Sequence, residues 1–366
     1  MRKNLLALTI AILLLILCLI AYYALLSPKQ NEGTIMVTDA LGRTVKIKTP
    51  INRVIITGKS AWPIITVAYM FPNAKNVLYG LSPSINVPLF QKIDPNITSK
   101  IVSTTELGVE EIANAKPDVV ILKSTMKELG DQLEELGISV VYVDFENLES
   151  YLRDLKVLGK VFMNETRSGE LAKHYNNTYN FIVSRTETLV DAEREKVLFL
   201  YYSTKGGTVS FNVPGSGWLQ TFMIEAAGGY PLSKQLSGTG WNTVNFEQIA
   251  SWNPDIIFLV TYSNSPTSGD AKEQLLKNAT WSSISAIQKE RVYAVPDDCG
   301  AGALGSWDCP GSRWILGLQW MAKKIHPELF SDLDIIEEAK RFYMDMYGLG
   351  EEAANEIIGR ITGDFP

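Results

Sequence analysis

The sequence predicts an α/β protein made of two doubly wound lobes, joined by a long helix and preceded by a membrane-anchoring segment. Three observations support this prediction. Short apolar runs alternate with helical stretches in both halves of the chain, the strand pattern stops between about residues 148 and 195, and one helix–strand motif occurs once in each half. Such alternation is typical of parallel sheets that helices cover on both faces.

The first 33 residues are predicted to form a membrane anchor or signal segment with its linker. Two basic residues precede an apolar run from Leu5 to Leu26. A helix of this length spans roughly 33 Å, enough to cross a hydrocarbon layer of about 30 Å. Cys18 follows Leu17, where a lipoprotein signal needs a small residue. A retained anchor is therefore favoured over a cleaved or lipidated signal, and the positive-inside rule places the remaining chain outside the membrane.

Residues 34–150 are predicted to form the first lobe. A short hairpin with its turn at Leu41-Gly42 lies at the start and should cover the edge of a sheet. Continuous runs of Val, Ile and Leu follow, as expected for buried parallel strands. These runs are residues 53–58, 76–80, 117–122 and 137–144.

The strand signal stops in the middle of the chain and then returns. Residues 151–195 carry apolar side chains at helical spacing and are predicted to form one long helix, or two in series, between the lobes. Residues 196–366 are predicted to form the second lobe. Its strand-like runs are residues 196–202, 254–260 and 291–296.

An internal repeat connects the two halves. A glutamate, Glu110 or Glu247, lies seven residues before a proline, and a short helix, a Pro-Asp turn and a buried strand follow in both places. Proline ends a helix because it lacks an N–H donor, and the aspartate is expected to cap the turn with its side chain. The equal spacing in each half favours two lobes of the same design.

Composition and motifs argue against several classes of protein. A net charge of −6 does not suit nucleic acid, which needs a basic face. No Gly-x-Ser-x-Gly elbow, phosphate-binding loop or dinucleotide fingerprint occurs in the sequence. We therefore expect neither an enzyme nor a bound cofactor or metal.

Cys299 and Cys309 follow the last predicted strand and are ten residues apart. An oxidising exterior would allow a disulfide between them. Two free thiols and metal ligation are the alternatives, although zinc wants four ligands. The spacing alone does not decide among the three.

Taken together, these features resemble the class III solute-binding proteins of ABC importers, which carry iron–siderophores, haem and cobalamin. The resemblance covers most of residues 35–345. The motifs that carry it are the segments Asp39–Arg43, the two Glu/Pro-Asp units, Ala227–Gly229, Trp281–Ile284 and His326–Glu328. It implies two α/β lobes joined by a long helix, a small-molecule ligand, and ABC permease subunits with their ATPase as partners. In that family one glutamate on each lobe contacts the permease, and Glu110 and Glu247 occupy the matching positions.

Ligands of open α/β sheets lie at the carboxyl ends of the strands, in the loops that follow them. Aromatic rings in these loops would suit a large flat ligand, and cations would neutralise a ferric chelate. The predicted ligand-binding residues are Lys59, Trp62, Ser82, Lys123, Tyr202, Trp218, Trp241, Tyr262, Trp307 and Arg313.

The sequence leaves the cargo and one functional alternative open. An iron chelate is favoured by the aromatic and cationic loops, with a corrinoid, haem, or an oxyanion such as molybdate or tungstate as alternatives. A metal-cluster or chelatase-type enzyme on the same scaffold would need Cys or His ligands in both lobes, whereas Cys299 and Cys309 both lie in the second. A tethered sensor would share the cleft and would not need Glu110 or Glu247.

Overall fold

The computed structural model describes residues 33–59, 61–103, 106–237, 240–300 and 302–366. The predicted membrane anchor, Leu5 to Leu26, lies outside the described residues. Within the part that is described, no helix has both the length and the apolar character that a membrane crossing requires.

A two-stranded hairpin and a four-stranded parallel sheet provide the strands of the first lobe. The hairpin bonds to the edge of the sheet as predicted, because Ala40 N donates to Tyr142 O over 2.9 Å. The strands are β1 (Gly33–Thr38), β2 (Thr44–Thr49), β3 (Val54–Ile56), β4 (Leu78–Tyr79), β5 (Val119–Lys123) and β6 (Val140–Val143). The sheet order is β4-β3-β5-β6, and its strands coincide with the predicted apolar runs.

Helices connect these strands, so that consecutive parallel strands are joined by crossovers. They are α1 (Trp62–Ala68), α2 (Ala74–Val77), α3 (Pro88–Ile93), α4 (Val109–Ala115) and α5 (Lys127–Glu135). Short 3-10 turns lie at Pro83–Ile85, Ile97–Lys100 and Ser124–Met126.

Two helices in series cross the middle of the chain, which was one of the two arrangements predicted. Helix α6 (Leu148–Val161) ends before Met163, whose φ of 53° is left-handed, and α7 (Glu165–Thr186) begins at once. Asn164 caps α7 by accepting a hydrogen bond from Arg167 N over 3.0 Å. Helix α7 has 22 residues and therefore spans about 33 Å.

The second lobe contains a six-stranded mixed sheet. Its strands are β7 (Lys196–Ser203), β8 (Ser210–Pro214), β9 (Tyr230–Pro231), β10 (Trp241–Val244), β11 (Ile256–Val260) and β12 (Val292–Ala294). The main order is β10-β8-β7-β11-β12, with β9 beside β7. Strands β7, β11 and β12 are the three predicted and are parallel, whereas the antiparallel β8 and β10 were not predicted.

The helices of the second lobe lie between and after these strands. They are α8 (Leu219–Ala226), α9 (Phe246–Trp252), α10 (Ser268–Lys277), α11 (Ser285–Gln288), α12 (Trp314–Ile325), α13 (Ile335–Tyr347) and α14 (Glu351–Ile358). Further 3-10 turns lie at Asp191–Glu193, Ala279–Trp281 and Gly302–Leu304.

One apolar core extends through both lobes. The inner face of the first sheet and the inner face of the second belong to the same cluster of buried residues, together with side chains of α6, α7, α12 and α13. The outer face of each sheet packs into a separate, smaller cluster. The two lobes therefore share one apolar core, which the helices α6, α7, α12 and α13 help to form.

The internal repeat is present in three dimensions, but its aspartates act differently from the prediction. Asp118 Oδ2 accepts hydrogen bonds from Asn52 N (2.7 Å) and Arg53 N (2.8 Å), and Asp255 Oδ2 accepts one from Lys196 N (3.3 Å). Each carboxylate thus fixes the start of the neighbouring strand, β3 or β7, and does not cap its own turn. The helices α4 and α9 end on residues in the left-handed region, with φ of 50° and 44°.

Replacing Asp118 with Ala should lower the free energy of unfolding by about 1–3 kcal/mol, since two backbone N–H groups lose a charged acceptor. Asp118→Asn keeps an acceptor oxygen and should lose less. Asp131→Ala, which removes a surface acid paired with Lys127 on the same helix, is the control and should change stability by less than about 0.5 kcal/mol. Urea denaturation followed by circular dichroism measures all three. Equal losses for the Ala and Asn variants would contradict this role for the carboxylate.

Candidate functional site

The carboxyl ends of the strands in the first lobe border a small cavity of about 70 Å³. It lies after β3 and β4, where the predicted residues Trp62 and Ser82 both line it. Gly58 and Gly80 have φ of 90° and 71°, so each strand ends in a turn that a side chain would strain. The other lining residues are Ile56, Thr57, Ala61, Ile65, Ser84, Glu106 and Leu107.

A larger cavity of about 260 Å³ lies at the carboxyl ends of β11 and β12 in the second lobe. Tyr262 and Asp297, which lie in the loops after β11 and β12, both line it. Hydroxyl groups and glycines make up most of the remaining wall. These residues are Ser263, Asn264, Thr267, Ser268, Gly269, Val295, Gly300, Gly302, Ser306, Thr362 and Gly363.

Four aromatic side chains form a cluster beside this cavity, hereafter the aromatic wall: Tyr201, Trp218, Trp241 and Tyr262. The ring centroids of Trp218 and Trp241 lie 5.0 Å apart, and that of Tyr201 lies 5.3 Å from Trp241 and 5.0 Å from Tyr262. Trp218, Trp241 and Tyr262 are half-buried, so part of each ring surface is accessible. Trp218, Trp241 and Tyr262, three of the residues predicted to bind a ligand, therefore lie together with part of their ring surface accessible.

Local hydrogen bonds hold the two tryptophans together. Gly215 N donates to Gly240 O over 2.9 Å, which joins the loop before Trp218 to the residue before Trp241. Trp241 then begins β10, which pairs with β8. The unpredicted antiparallel extension is therefore what brings residues 218 and 241 onto one surface.

The sequence prediction chose Tyr202, but the structure places its neighbour Tyr201 in the wall. Tyr202 points to the opposite face of β7, is buried in the outer cluster and donates to Gln274 Oε1 over 3.0 Å. Successive side chains of a strand point to opposite faces, so an error of one position changes the face. Phe199 lies on the same face of β7 as Tyr201, and the ring centroids of Phe199 and Trp241 lie 6.2 Å apart. The alternation of side chains along β7 would therefore have identified Tyr201 as the residue on the inner face.

Loop 297–313, which follows β12, joins the strand ends of the two lobes. Ser312 N donates to Thr66 Oγ1 of α1 over 3.0 Å, and Tyr151 OH of α6 donates to Gly311 O over 3.0 Å. A Cβ at Gly311 would lie 2.6 Å from Thr66 Oγ1, so glycine permits this approach. Because α1 follows β3 and loop 297–313 follows β12, the carboxyl ends of both sheets border the same junction.

Two predicted ligand residues, Trp307 and Arg313, lie inside this junction and not on an accessible surface. Trp307 is fully buried, with its ring 5.5 Å from Phe365. Arg313 is 3% exposed and forms an ion pair with Asp298, Nε to Oδ2, over 2.8 Å. Neither side chain is free to contact a ligand, so the prediction of their role is wrong.

The predicted cations of the loops also differ in availability. Lys123 is buried and forms an ion pair with Glu146 over 2.6 Å, so its charge is already neutralised and its expected role is wrong. Lys59 and Lys205 are exposed, at the ends of β3 and β7. Fewer cations than the sequence suggested are therefore available to neutralise an anionic ligand.

Cys299 and Cys309 are free thiols, so the disulfide left open by the sequence is not formed. Cys299 Sγ donates to Asp298 Oδ1 over 3.1 Å, and Cys309 Sγ lies 3.9 Å from Asp308 Oδ2. Burial raises the pKa of both thiols well above the usual range, which keeps them protonated. Among the described residues no group of three or more His, Cys, Asp and Glu could hold a metal ion.

Asp297 supplies a carboxyl group to the lining of the larger cavity. Burial, together with the neighbouring Asp298 charge, raises its pKa to about 6, although Cys299 N and Gly300 N each donate to its Oδ1 over 2.8 Å. The carboxyl group therefore titrates close to neutral pH.

Glu110 and Glu247 are both exposed, in the first turns of α4 and α9. Both helices run towards the amino ends of their sheets, so their first turns lie near the strand carboxyl ends of each lobe. A negative charge is favourable at a helix N-terminus with or without a partner.

Residues 75–299 match the model of a family described as periplasmic binding protein. The molybdate-binding protein MolA of Haemophilus influenzae is 22% identical over 85% of this chain and 90% of the relative. The uncharacterised ABC transporter substrate-binding lipoprotein YvrC of Bacillus subtilis is 26% identical over 63% of this chain and 69% of its own length. Among solved structures, a periplasmic solute-binding protein of Veillonella parvula aligns with a TM-score of 0.71 and 27% identity, covering 89% of this chain and 97% of the other.

Asp297→Asn should make stability less dependent on pH. In the folded protein the Asp297 pKa is about 6, above its unfolded value, so folding takes up a proton between about pH 4 and 6 and stability falls as the pH rises through that window. The Asn variant avoids this loss. The difference in free energy of unfolding between the variant and the native chain should shift in favour of the variant by about 1–3 kcal/mol from pH 4.5 to pH 7.5. Urea unfolding at the two pH values measures the difference.

Asp270→Asn is a control of opposite sign. The hydrogen bonds from Thr267 lower the Asp270 pKa, so this carboxylate stabilises the fold above its unfolded pKa and loses that effect in acid. The variant should be less stable than the native chain at pH 7.5 and approach it in acid. Parallel stability curves for Asp297→Asn and the native chain would contradict the proposed titration.

Arg313→Met should lower the free energy of unfolding by about 3–5 kcal/mol, because it leaves Asp298 charged and buried without a countercharge. Arg360→Met, which breaks an ion pair between Arg360 and Glu356 at the surface, should cost less than about 1 kcal/mol. Adding Asp298→Asn to Arg313→Met should restore part of the loss by removing the stranded charge. Similar losses for the two arginine variants would show that the buried pair is not required.

Proposed function

Because the chain belongs to the periplasmic binding protein family, we propose that it is the substrate-binding component of an ABC importer and captures an intact metal chelate, with a ferric siderophore-type chelate as the leading cargo. In this proposal the lobes at residues 34–150 and 196–366 close on the ligand and perform no chemistry. The chain acts outside the cytoplasm, as its relatives named periplasmic and lipoprotein do, and residues 1–33 tether it to the membrane.

The aromatic wall carries this proposal. Tyr262 lies after β11, at a strand end of the kind where ligands of α/β sheets bind, and the rings of Trp241 and Trp218 adjoin it; Trp62 lies at the strand ends of the other lobe. Each favourable contact between aromatic rings contributes about 0.5–1.5 kcal/mol beyond area burial. A ligand with broad flat faces, such as a catecholate chelate, a haem or a corrinoid, gains most from this surface.

The charges of the junction favour recognition by shape over recognition by charge. Arg313 and Lys123 are neutralised by partners inside the protein, whereas Lys59 and Lys205 are exposed and can meet an anionic chelate at the rim. Exposed cations accelerate the approach of an anion and add little affinity, because water and salt screen them.

A small oxyanion is the second candidate, and the cavity of about 260 Å³ favours it. The Ser268 hydroxyl lines that cavity and can donate to an anionic oxygen, whereas the Ser263 and Thr267 hydroxyls, which also line it, donate to Ser265 O and Asp270 Oδ2. The relative MolA is described as molybdate-binding. Asp297 opposes this candidate, since its carboxylate would repel an anion above its pKa of about 6.

Glu110 and Glu247 are proposed to contact the permease, one from each lobe. Their exposure leaves both free to meet cations of a partner. A sensor that never feeds an importer would have the same cleft and would not depend on these two side chains.

Reversing both charges, Glu110→Lys with Glu247→Lys, should reduce uptake of the cargo to background in cells while leaving its binding to the purified protein unchanged. The physical reason is repulsion between like charges at the contact with the permease. Glu128→Lys changes an exposed acid in the first turn of α5 and is the matched control. Normal uptake by the double variant would favour the sensor.

Trp218→Ala and Trp241→Ala should each weaken ligand binding by about tenfold or more, or roughly 1.4 kcal/mol. Titrations with a ferric catecholate, haemin, cobalamin and molybdate, followed by visible absorbance or calorimetry, identify the cargo and measure the loss. Trp252→Ala is the control, because Trp252 packs on the outer face of the second sheet. Binding of molybdate alone would favour the oxyanion.

A further inference from the structure

Asp308 is a fully buried carboxylate that lies behind the aromatic wall. Tyr262 OH and Gln220 Nε2 donate to its Oδ2, the latter over 2.9 Å, and Ser306 Oγ donates to its Oδ1. Among the described residues it forms no ion pair, unlike Asp298 in the same loop. A buried charge without a countercharge is costly for stability, and these hydrogen bonds are what offset the cost.

Tyr262 is held at both its backbone and its side chain. Its φ of 48° lies in the left-handed region, which costs an aromatic residue about 1–2 kcal/mol. The loop at Gly302 packs against its backbone, where a Cβ would lie 2.9 Å from Tyr262 O. The hydroxyl is fixed by Asp308. The ring consequently has one orientation, 5.0 Å from Tyr201 and 6.0 Å from Trp241.

The same contacts define the chemistry that Tyr262 can offer. Burial, and then the charge of Asp308, raises the pKa of the Tyr262 phenol well above its ordinary value. The phenol therefore remains neutral and donates a hydrogen bond to Asp308. Its ring belongs to the aromatic wall, and its hydroxyl, which is bonded to Asp308, cannot act as a phenolate ligand to a metal ion.

We propose that Asp308 is a positioning residue for ligand binding: by accepting the hydrogen bond of Tyr262 it fixes that ring in the aromatic wall as a neutral contact surface. The inference rests on the proposed function, in which the wall contacts the cargo. It adds that Tyr262 contributes no anionic ligand to a metal, so the captured metal keeps its own chelator in this part of the site.

Two substitutions of Asp308 separate positioning from charge. Asp308→Asn keeps an oxygen that accepts from Tyr262 and Gln220, while its amide can donate to Ser306 Oγ. Asp308→Ala removes both oxygens that accept hydrogen bonds from Tyr262, Gln220 and Ser306. Tyr262→Phe breaks the same hydrogen bond from the other side and retains the ring.

Binding is measured with ferric catecholate and haemin as probes. Asp308→Asn should bind within about threefold of the native chain, whereas Asp308→Ala and Tyr262→Phe should each bind at least about tenfold more weakly. The variant that combines Asp308→Ala with Tyr262→Phe should bind no more weakly than either alone, because both remove one hydrogen bond. Independent, additive losses would overturn the proposal.

Fluorine NMR of protein labelled with 3-fluorotyrosine tests the positioning without any ligand. The Tyr262 resonance, identified as the one missing from Tyr262→Phe, should be single and unchanged to pH 10 in the native chain. In Asp308→Asn it should stay single but titrate at a lower pH, and in Asp308→Ala it should broaden or split. An identical resonance in all three would overturn the inference.

The two measurements distinguish the possible failures. If neither probe binds the native chain, the proposed cargo is wrong, and the fluorine spectra still decide whether Asp308 fixes Tyr262. If Asp308→Ala does not fold, as thermal unfolding would show, Asp308→Asn and Tyr262→Phe supply the comparison. Equal binding by those two variants and the native chain would then overturn the proposal.

Discussion

The buried guanidinium of Arg313 is the constraint on which the junction between the lobes depends. A charge removed from water is tolerated only where ionic and hydrogen-bonding partners surround it. Arg313 contacts Asp298 over 2.8 Å, Tyr347 OH over 3.0 Å and Ser312 Oγ over 3.1 Å. Tyr347 OH in turn lies 3.2 Å from Thr66 O. One charge therefore fixes loop 297–313 against both α1 and α13.

The relative placement of the two sets of strand ends follows from this network. The first cavity lies beside α1, and the second lies beside the loop that carries Asp298. A displacement of one lobe would have to break buried polar contacts and part of the apolar core that both sheets share. Packed interiors resist continuous deformation, so this architecture favours opening and closing of small amplitude over a wide hinge motion.

The sequence predicted those features that depend on local pattern. Continuous apolar runs identified the parallel strands, and the loop after β11 contained Tyr262, whereas Trp218 and Trp241 lie after β8 and at the start of β10, two strands that were not predicted. Features that depend on distant partners were not predictable in the same way. Lys123 and Arg313 look like ligand-binding cations in the sequence, because only the folded chain brings Glu146 and Asp298 beside them.

Two other errors have different causes. Strands β8 and β10 mix polar with apolar residues and lack the continuous apolar run of the parallel strands, and their stability depends on the pairing of β10 with β8 and of β8 with β7. The choice of Tyr202 over Tyr201 was an error of face, which the alternation along β7 could have prevented. The partner of Tyr262 could not have been found from the sequence, since Asp308 is 46 residues away along the chain.

The buried charges at the junction are paired or hydrogen-bonded within the protein. Arg313 and Asp298 neutralise each other, Lys123 is paired with Glu146, and Asp308 is surrounded by neutral donors. These fixed charges set the positions of neighbouring groups and do not face a ligand. The aromatic wall, which is proposed to contact the ligand, consists instead of neutral rings, whose contacts depend on shape and orientation. Selectivity at this wall should therefore depend on how accurately the rings are held, and the buried charges behind them supply that accuracy.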